Sequence, residues 1–355
     1  MKTKQFCLLL LCALSYIHGF AQNSLWTLNE DNAIQVAGER KIIPSAFKLA
    51  KLSTQDFKLQ QTFIPDENSG QQALIDLPTP DGGLKHFSIF EVPMMEAPLA
   101  AKYPQIKTYT AIQTDNPLVT AKIDYTVFGF HAMIFDQENT YFIDPYTNLN
   151  TDWYIIYYKK DFLKPLQHRM HCDLDENTSL IPEEQAVSLT KGNEIPNLSS
   201  YKQNGTDKRV YRLALACTVE YSAAVGGATP TKASVLSAMV TSMNRVNGVF
   251  EKDFSMHANL VGNNDTLIYI GTTDPYTNNS GGTMLSQNQT TVNARIGSAN
   301  YDYGHVFSTG GGGVATAGCV CSSGSKAQGV TGSSNPVGDP FDIDYVAHEM
   351  GHQFG

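Results

Sequence analysis

The sequence predicts an α/β chain in which a β-rich unit precedes a mixed, twisted sheet closed by a helix. Three observations carry this. Stretches such as "KHFSIFEV", "LVTAKIDYTVFGFHAMIF" and "TYFIDPY" alternate apolar and polar residues, are rich in β-branched and aromatic side chains, and are bounded by turn clusters such as "PTPDGG". From about residue 207 strand patterns alternate with helical ones, the mark of an α/β layer architecture. The closing stretch, "DPFDIDYVAHEMGHQFG", has helical periodicity and two histidines four residues apart.

The first 21 residues carry two lysines, an apolar run from Phe6 to Ile17 and small residues up to Ala21. This is the pattern of a secretory signal cleaved near Ala21, and too short for a confident membrane span. It predicts a secreted destination, extracellular or at the cell surface, and no membrane span once the signal is removed. Removal discards Cys7 and Cys12 and leaves Cys172, Cys217, Cys319 and Cys321 in an oxidising compartment, where disulfides form. A net charge of −9 and the lack of a basic run beyond the N-terminus argue against a nucleic-acid partner.

Residues 22 to 206 read as one unit, a β-rich domain whose last part, about 173–206, is polar, rich in Pro, Gly, Ser and Asn, and without periodicity. That part is expected to be an exposed linker open to proteolytic nicking.

The second unit, 207–355, opens on the strand pattern "RVYRLALAC". Val235, Ala238, Met239, Met243, Val246, Val249 and Phe250 recur at helical spacing and predict a long amphipathic helix over 230–250, opened by Thr229 and Pro230. Strands are expected at "SMHANLV" and "TLIYI", a weaker helix from Gln287 to Ile296, then strands at "YGHVFST", "GVATAG" and "QGVTG".

The terminal stretch carries the chemistry. In "HEMGH", His348 and His352 stand one helical turn apart, so both imidazoles reach one divalent cation. Glu349 beside them has the position of the general base that takes a proton from the attacking water, and zinc (Zn2+) is the expected metal. Ile343, Val346, Ala347, Met350 and Phe354 form an apolar stripe on the opposite side, which leaves the two histidines and Glu349 on a wet face. Asp339 and Pro340 suit an N-cap and first helical position, with Asp342 favouring the positive helix end. Gly355 suits a left-handed turn ending the helix, after which a third ligand, His or Asp, is expected three residues beyond the end of this chain.

"HEMGHQFG" is the first part of the pattern HExxHxxGxxH. Together with "RLALACTVEY", "MVTSMNRVNGVFEKDF", "GHVFSTGGGGVATAGCVC" and "KAQGVTG", it makes residues 207–355 resemble the catalytic domain of bacterial reprolysin-like (adamalysin-type) metzincin metallopeptidases. The resemblance implies a metzincin-like domain preceded by a propeptide-like one, with protein or peptide substrates. It also implies that the strand through Gly313, Val314, Ala315, Thr316 and Ala317 is a sheet edge along which substrate lies antiparallel. The third zinc ligand and the methionine turn of that family would follow Gly355. It further implies that Cys319 or Cys321 pairs with a cysteine after the zinc motif; as neighbours two apart on a strand they would strain a bond to each other. Cys172, just before the linker, is a candidate cysteine switch on the metal, against a disulfide with Cys217 or a buried thiol. His168 and His171 read as exposed, and His305 as hydrogen-bonded structure.

The function expected is a secreted zinc endopeptidase made as a zymogen, its propeptide covering the cleft. The alternative is an exported non-catalytic binding or adhesion module on a metzincin scaffold.

Overall fold

The computed structural model describes residues 24–30, 34–136, 139–162 and 207–355. The signal segment, the linker 173–206, His168, His171 and Cys172 lie outside the described residues.

The first unit is a nine-stranded antiparallel sheet. Along the chain it runs β1 (Trp26–Asn29), β2 (Lys48–Leu52), α1 (Thr54–Gln61), β3 (Ala73–Pro78), β4 (Leu84–Glu91), α2 (Ala97–Lys102), β5 (Lys107–Gln113), β6 (Thr120–Thr126), β7 (Gly129–Phe135), β8 (Tyr141–Thr147) and β9 (Asn150–Tyr158). The spatial order is β1-β2-β9-β8-β7-β6-β5-β4-β3, so most neighbours are joined by hairpins, as the period-two pattern requires. Gly129, where the two-residue turn between β6 and β7 closes, has φ of +98°, and a Cβ there would stand 2.6 Å from the Tyr154 hydroxyl. One face packs Phe87, Phe130 and Tyr154 in one cluster with Phe57 of α1; the other buries Phe135, Phe142 and Tyr157.

The second unit comprises β10 (Arg209–Cys217), α3 (Val219–Gly226), α4 (Lys232–Phe254), β11 (Met256–Leu260), α5 (Gly281–Arg295), β12 (Tyr303–Ser308), β13 (Gly312–Ala315), β14 (Gly329–Gly332) and a terminal helix. The sheet order is β11-β10-β12-β14-β13, parallel except for β13, which runs antiparallel to β14 at the edge. Alternation along β10 makes this a three-layer sandwich. Leu213, Leu215 and Cys217 face α4, whereas Ala214 and Ala216 face α5. A mixed α/β unit after a β-rich one is the architecture the patterns predict.

Several details differ from the expectation. The long helix starts later, at Lys232, because Thr231 and Ser234 form a reciprocal capping box: the Thr231 hydroxyl accepts from Ser234 N–H and the Ser234 hydroxyl from Thr231 N–H. The weaker helix begins earlier, at Gly281. "TLIYI" makes no strand; Asn264–Leu267 is a 3₁₀ turn, and only an isolated bridge joins Ile268 to Cys217. The side chain of Asn264 takes the place of a strand partner, accepting from Leu215 N–H and donating to its carbonyl.

The terminal helix is not uniform. Gly338 (φ +74°) precedes it, so Asp339 is a first helical residue and not the cap. Asp339–Phe341 leads into a π-helical stretch, Asp342–Ala347, and α6 (His348–Phe354) follows as regular helix. The wide π turns carry Asp342 inward, away from the dipole position expected of it. It is 1% exposed, accepts from the Ser242 hydroxyl, and pairs with Arg245 at 3.0 Å. Gly355 has φ of +107°, in the left-handed region anticipated for it.

Candidate metal centre

The helix α6 carries all three residues of the motif. Met350, with Val346 and Ala347 of the π-helical stretch before it, anchors its inner side in the core shared with α4 and β10. His348 is exposed and His352 half-buried, and their Nε2 atoms stand 3.0 Å apart with ring centroids at 4.6 Å. Burial, and then the neighbouring His348, hold the His352 pKa below the ordinary imidazole value, which favours the neutral ring that a metal requires.

Two nitrogens each about 2.0–2.1 Å from a tetrahedral zinc stand about 3.3 Å apart. The imidazole pair therefore fits as two corners of such a site. No third His, Cys, Asp or Glu joins them among the described residues.

Glu349 departs from the wet face expected of it: it is fully buried. The cause is the edge strand. β13 crosses over α6, and a Cβ built on Gly313 would lie 2.4 Å from Glu349 Cγ and 2.5 Å from its Cδ and Oε1. The carboxylate thus occupies the space that the missing side chain leaves. Of the proposed substrate strand, Gly313, Val314 and Ala315 lie in β13; Thr316 and Ala317 lie past its end, where Thr316 bonds back to Gln328 through both N–H and hydroxyl.

The far end of α6 is fixed by Gln353. Its carbonyl oxygen lies 2.8 Å from His305 Nδ1, its amide donates to the Gly304 carbonyl at 2.9 Å, and His305 Nε2 meets the Thr331 hydroxyl at 2.8 Å. His305 is fully buried, which lowers its pKa to about 4 and keeps it neutral. It is the hydrogen-bonded structural residue anticipated, and it touches neither His348 nor His352 in any hydrogen bond shown.

Cys319 and Cys321 do not lie on a strand. They follow β13 in a turn, Cys319 buried beside Gln353 and Cys321 exposed at φ of +64°, so they point apart. Cys217 is a buried thiol 3.3 Å from the Ser222 hydroxyl, its pKa pushed up to about 11 by desolvation.

Sequence reasoning missed Gly313's contact with Glu349, Gln353 and Arg245. The last had a signal: an arginine within the buried run of α4, where "MVTSMNRVNGVF" otherwise supplies apolar and small residues.

Comparison with known proteins gives two findings. Residues 236–355 match the family described as Metallo-peptidase family M12B Reprolysin-like. Among solved structures, the chain is similar to metalloproteinase-II from Bacteroides fragilis, with 11% identity, 85% of each chain covered and a TM-score of 0.42, a likeness too distant to decide a fold. No curated protein matches. The segment that builds the imidazole pair, residues 236–355, belongs to the reprolysin-like metallopeptidases of family M12B.

Proposed function

We propose that the chain is a secreted, zinc-dependent endopeptidase made as a zymogen. The observation that carries this reading is the convergence of the His348 and His352 Nε2 atoms, 3.0 Å apart, on a helix whose Glu349 is enclosed by an edge strand. His348 and His352 would hold the zinc. When bound, the ion supplies a water of near-neutral pKa and polarises a carbonyl. Glu349 takes the proton of the attacking water on its carboxylate and later passes it to the leaving amine. Among the described residues no strand pairs with the outer edge of β13, whose backbone N–H and C=O groups would take an extended peptide and set substrate alongside α6.

The signal pattern of residues 1–21 supports export, and no helix among the described residues is long and apolar enough to cross a membrane. Protein or peptide substrates follow from the family.

The non-catalytic alternative draws on the two-imidazole count among the described residues. Metal analysis separates the two. The full-length protein dialysed against metal-free buffer should retain about one zinc per chain, and His352→Ala should lose it. A parent that emerges without metal rejects the peptidase reading.

Two further expectations test the parts. Gly313→Ala should lower kcat/KM on a peptide substrate about 100-fold while zinc content stays level, because the new methyl displaces the Glu349 side chain. Unchanged turnover would show that the carboxylate has room to shift. As a cysteine switch, Cys172 would hold the zymogen latent, so Cys172→Ser should show activity before linker cleavage; equal latency in variant and parent dismisses the switch.

A further inference from the structure

The described residues of the first unit dock on the second along α4, the outer edge of β11 and the start of the terminal helix, while His348 is exposed.

The docking is built as protein interiors are. At the edge of β11, Leu260 donates its N–H to the Met94 carbonyl at 2.8 Å and accepts from Glu96 N–H at 2.9 Å, so the first unit closes that edge of the second sheet. Gly262 N–H adds a bond of 2.7 Å to the Glu96 carboxylate. Met94, Met95, Leu99 and Ile106 are buried in the same cluster as Leu260 and Phe250, so the two units share one core here. Gly248, in the middle of α4, lies against the Phe135 ring so closely that a Cβ would meet it at 2.5 Å.

Two buried charge clusters cross the same boundary. Lys122 of β6 meets Glu251 of α4 at 2.7 Å. Arg245 of α4, 2% exposed, donates to Asp144 of β8 at 2.5 Å and to Asp342 at 3.0 Å. Asp342 opens the π-helical stretch that delivers His348, so Asp144 reaches the motif helix through a single guanidinium. Withdrawal of the first unit would strip a shared core, reopen a sheet edge and leave buried charges without partners, each a cost of separation.

We propose that residues 24–162 are a permanent structural subunit of the metallopeptidase unit: scission of the linker between 173 and 206 leaves the two fragments bound, with Asp144 acting through Arg245 to hold the lead-in of the HExxH helix. Asp144, Arg245 and Asp342 are positioning residues in this arrangement. The proposal rests on the reading of 173–206 as the processing segment, but not on catalysis.

The test uses the full chain with a site for a sequence-specific protease placed between residues 173 and 206. After complete cutting, both fragments should co-elute in size exclusion at micromolar concentration in equal amounts, and amide exchange over 342–347 should stay as slow as in the uncut chain. Separate elution, whether the released second unit stays folded or aggregates, overturns the proposal. In the cut complex, Asp144→Asn should speed exchange over 342–347 by about tenfold or more while amides of α5 are unaffected, and Asp144→Glu should restore part of the protection. Equal exchange in parent and Asp144→Asn refutes the triad's role, and the unsubstituted cut chain decides association even where the variant does not fold. None of these readouts uses peptide hydrolysis, so failure here is distinguishable from failure of the peptidase reading.

Discussion

Glu349→Gln is expected to lower peptide hydrolysis by about three orders of magnitude or more while zinc content stays near one per chain. The amide is isosteric, so it fits the enclosure beneath Gly313 as the carboxylate does, but it does not accept the proton of the attacking water. Zinc retention distinguishes loss of the base from loss of the site, since the His348 and His352 Nε2 atoms are untouched. Parallel measurement of kcat/KM and metal content decides it, and a variant that hydrolyses at the parent's rate removes Glu349 from the mechanism. The burial of Glu349 strengthens the expectation. Proton transfer in a site closed by an edge strand occurs where electrostatic interactions are less screened than in water.

Arg245→Met is expected to destabilise the protein by about 3–5 kcal/mol. Asp144 and Asp342 are each no more than about 1% exposed, and without the guanidinium both carboxylates are left buried with no compensating charge. Burial already raises the Asp342 pKa to about 6 against the attraction of Arg245, so loss of the cation drives it higher still. Replacement of all three charged residues by apolar side chains of similar volume should recover much of the loss, because the penalty comes from the stranded charges more than from the missing attraction. Urea unfolding of the parent, the single and the triple variant measures both effects. A single variant within 1 kcal/mol of the parent would mean that the carboxylates find water or protons at no cost.

The first unit was legible because an antiparallel sheet writes its period into the sequence. β4 and the run from β6 to β8 coincide with the alternating stretches, and the turns with their Gly, Pro, Asp and Asn clusters. The failures of detail have identifiable causes. "TLIYI" has strand composition, but Asn264 already satisfies the backbone of β10 that a strand there would have paired with. The terminal helix has a 3.6-residue pattern, yet the attraction of Arg245 for Asp342 accompanies a wider π path, and tertiary charge pairing outweighs local preference. The place of Glu349 was misjudged for a related reason. Helix periodicity assigns a side to each residue but does not say what crosses over that side.

By itself the sequence determined the pair of sheets and the shared direction of His348 and His352, since spacing along one strand or helix is a local property of the backbone. Only the tertiary structure decided that Glu349 is enclosed by the glycine of an edge strand, that Asp342 is a buried ion-pair partner and not a first-turn charge at the helix end, and that the first unit packs along α4 and the lead-in to the motif helix. These depend on contacts between residues 36 to 101 positions apart, whose formation is governed by the folding of whole layers and leaves no local period to read.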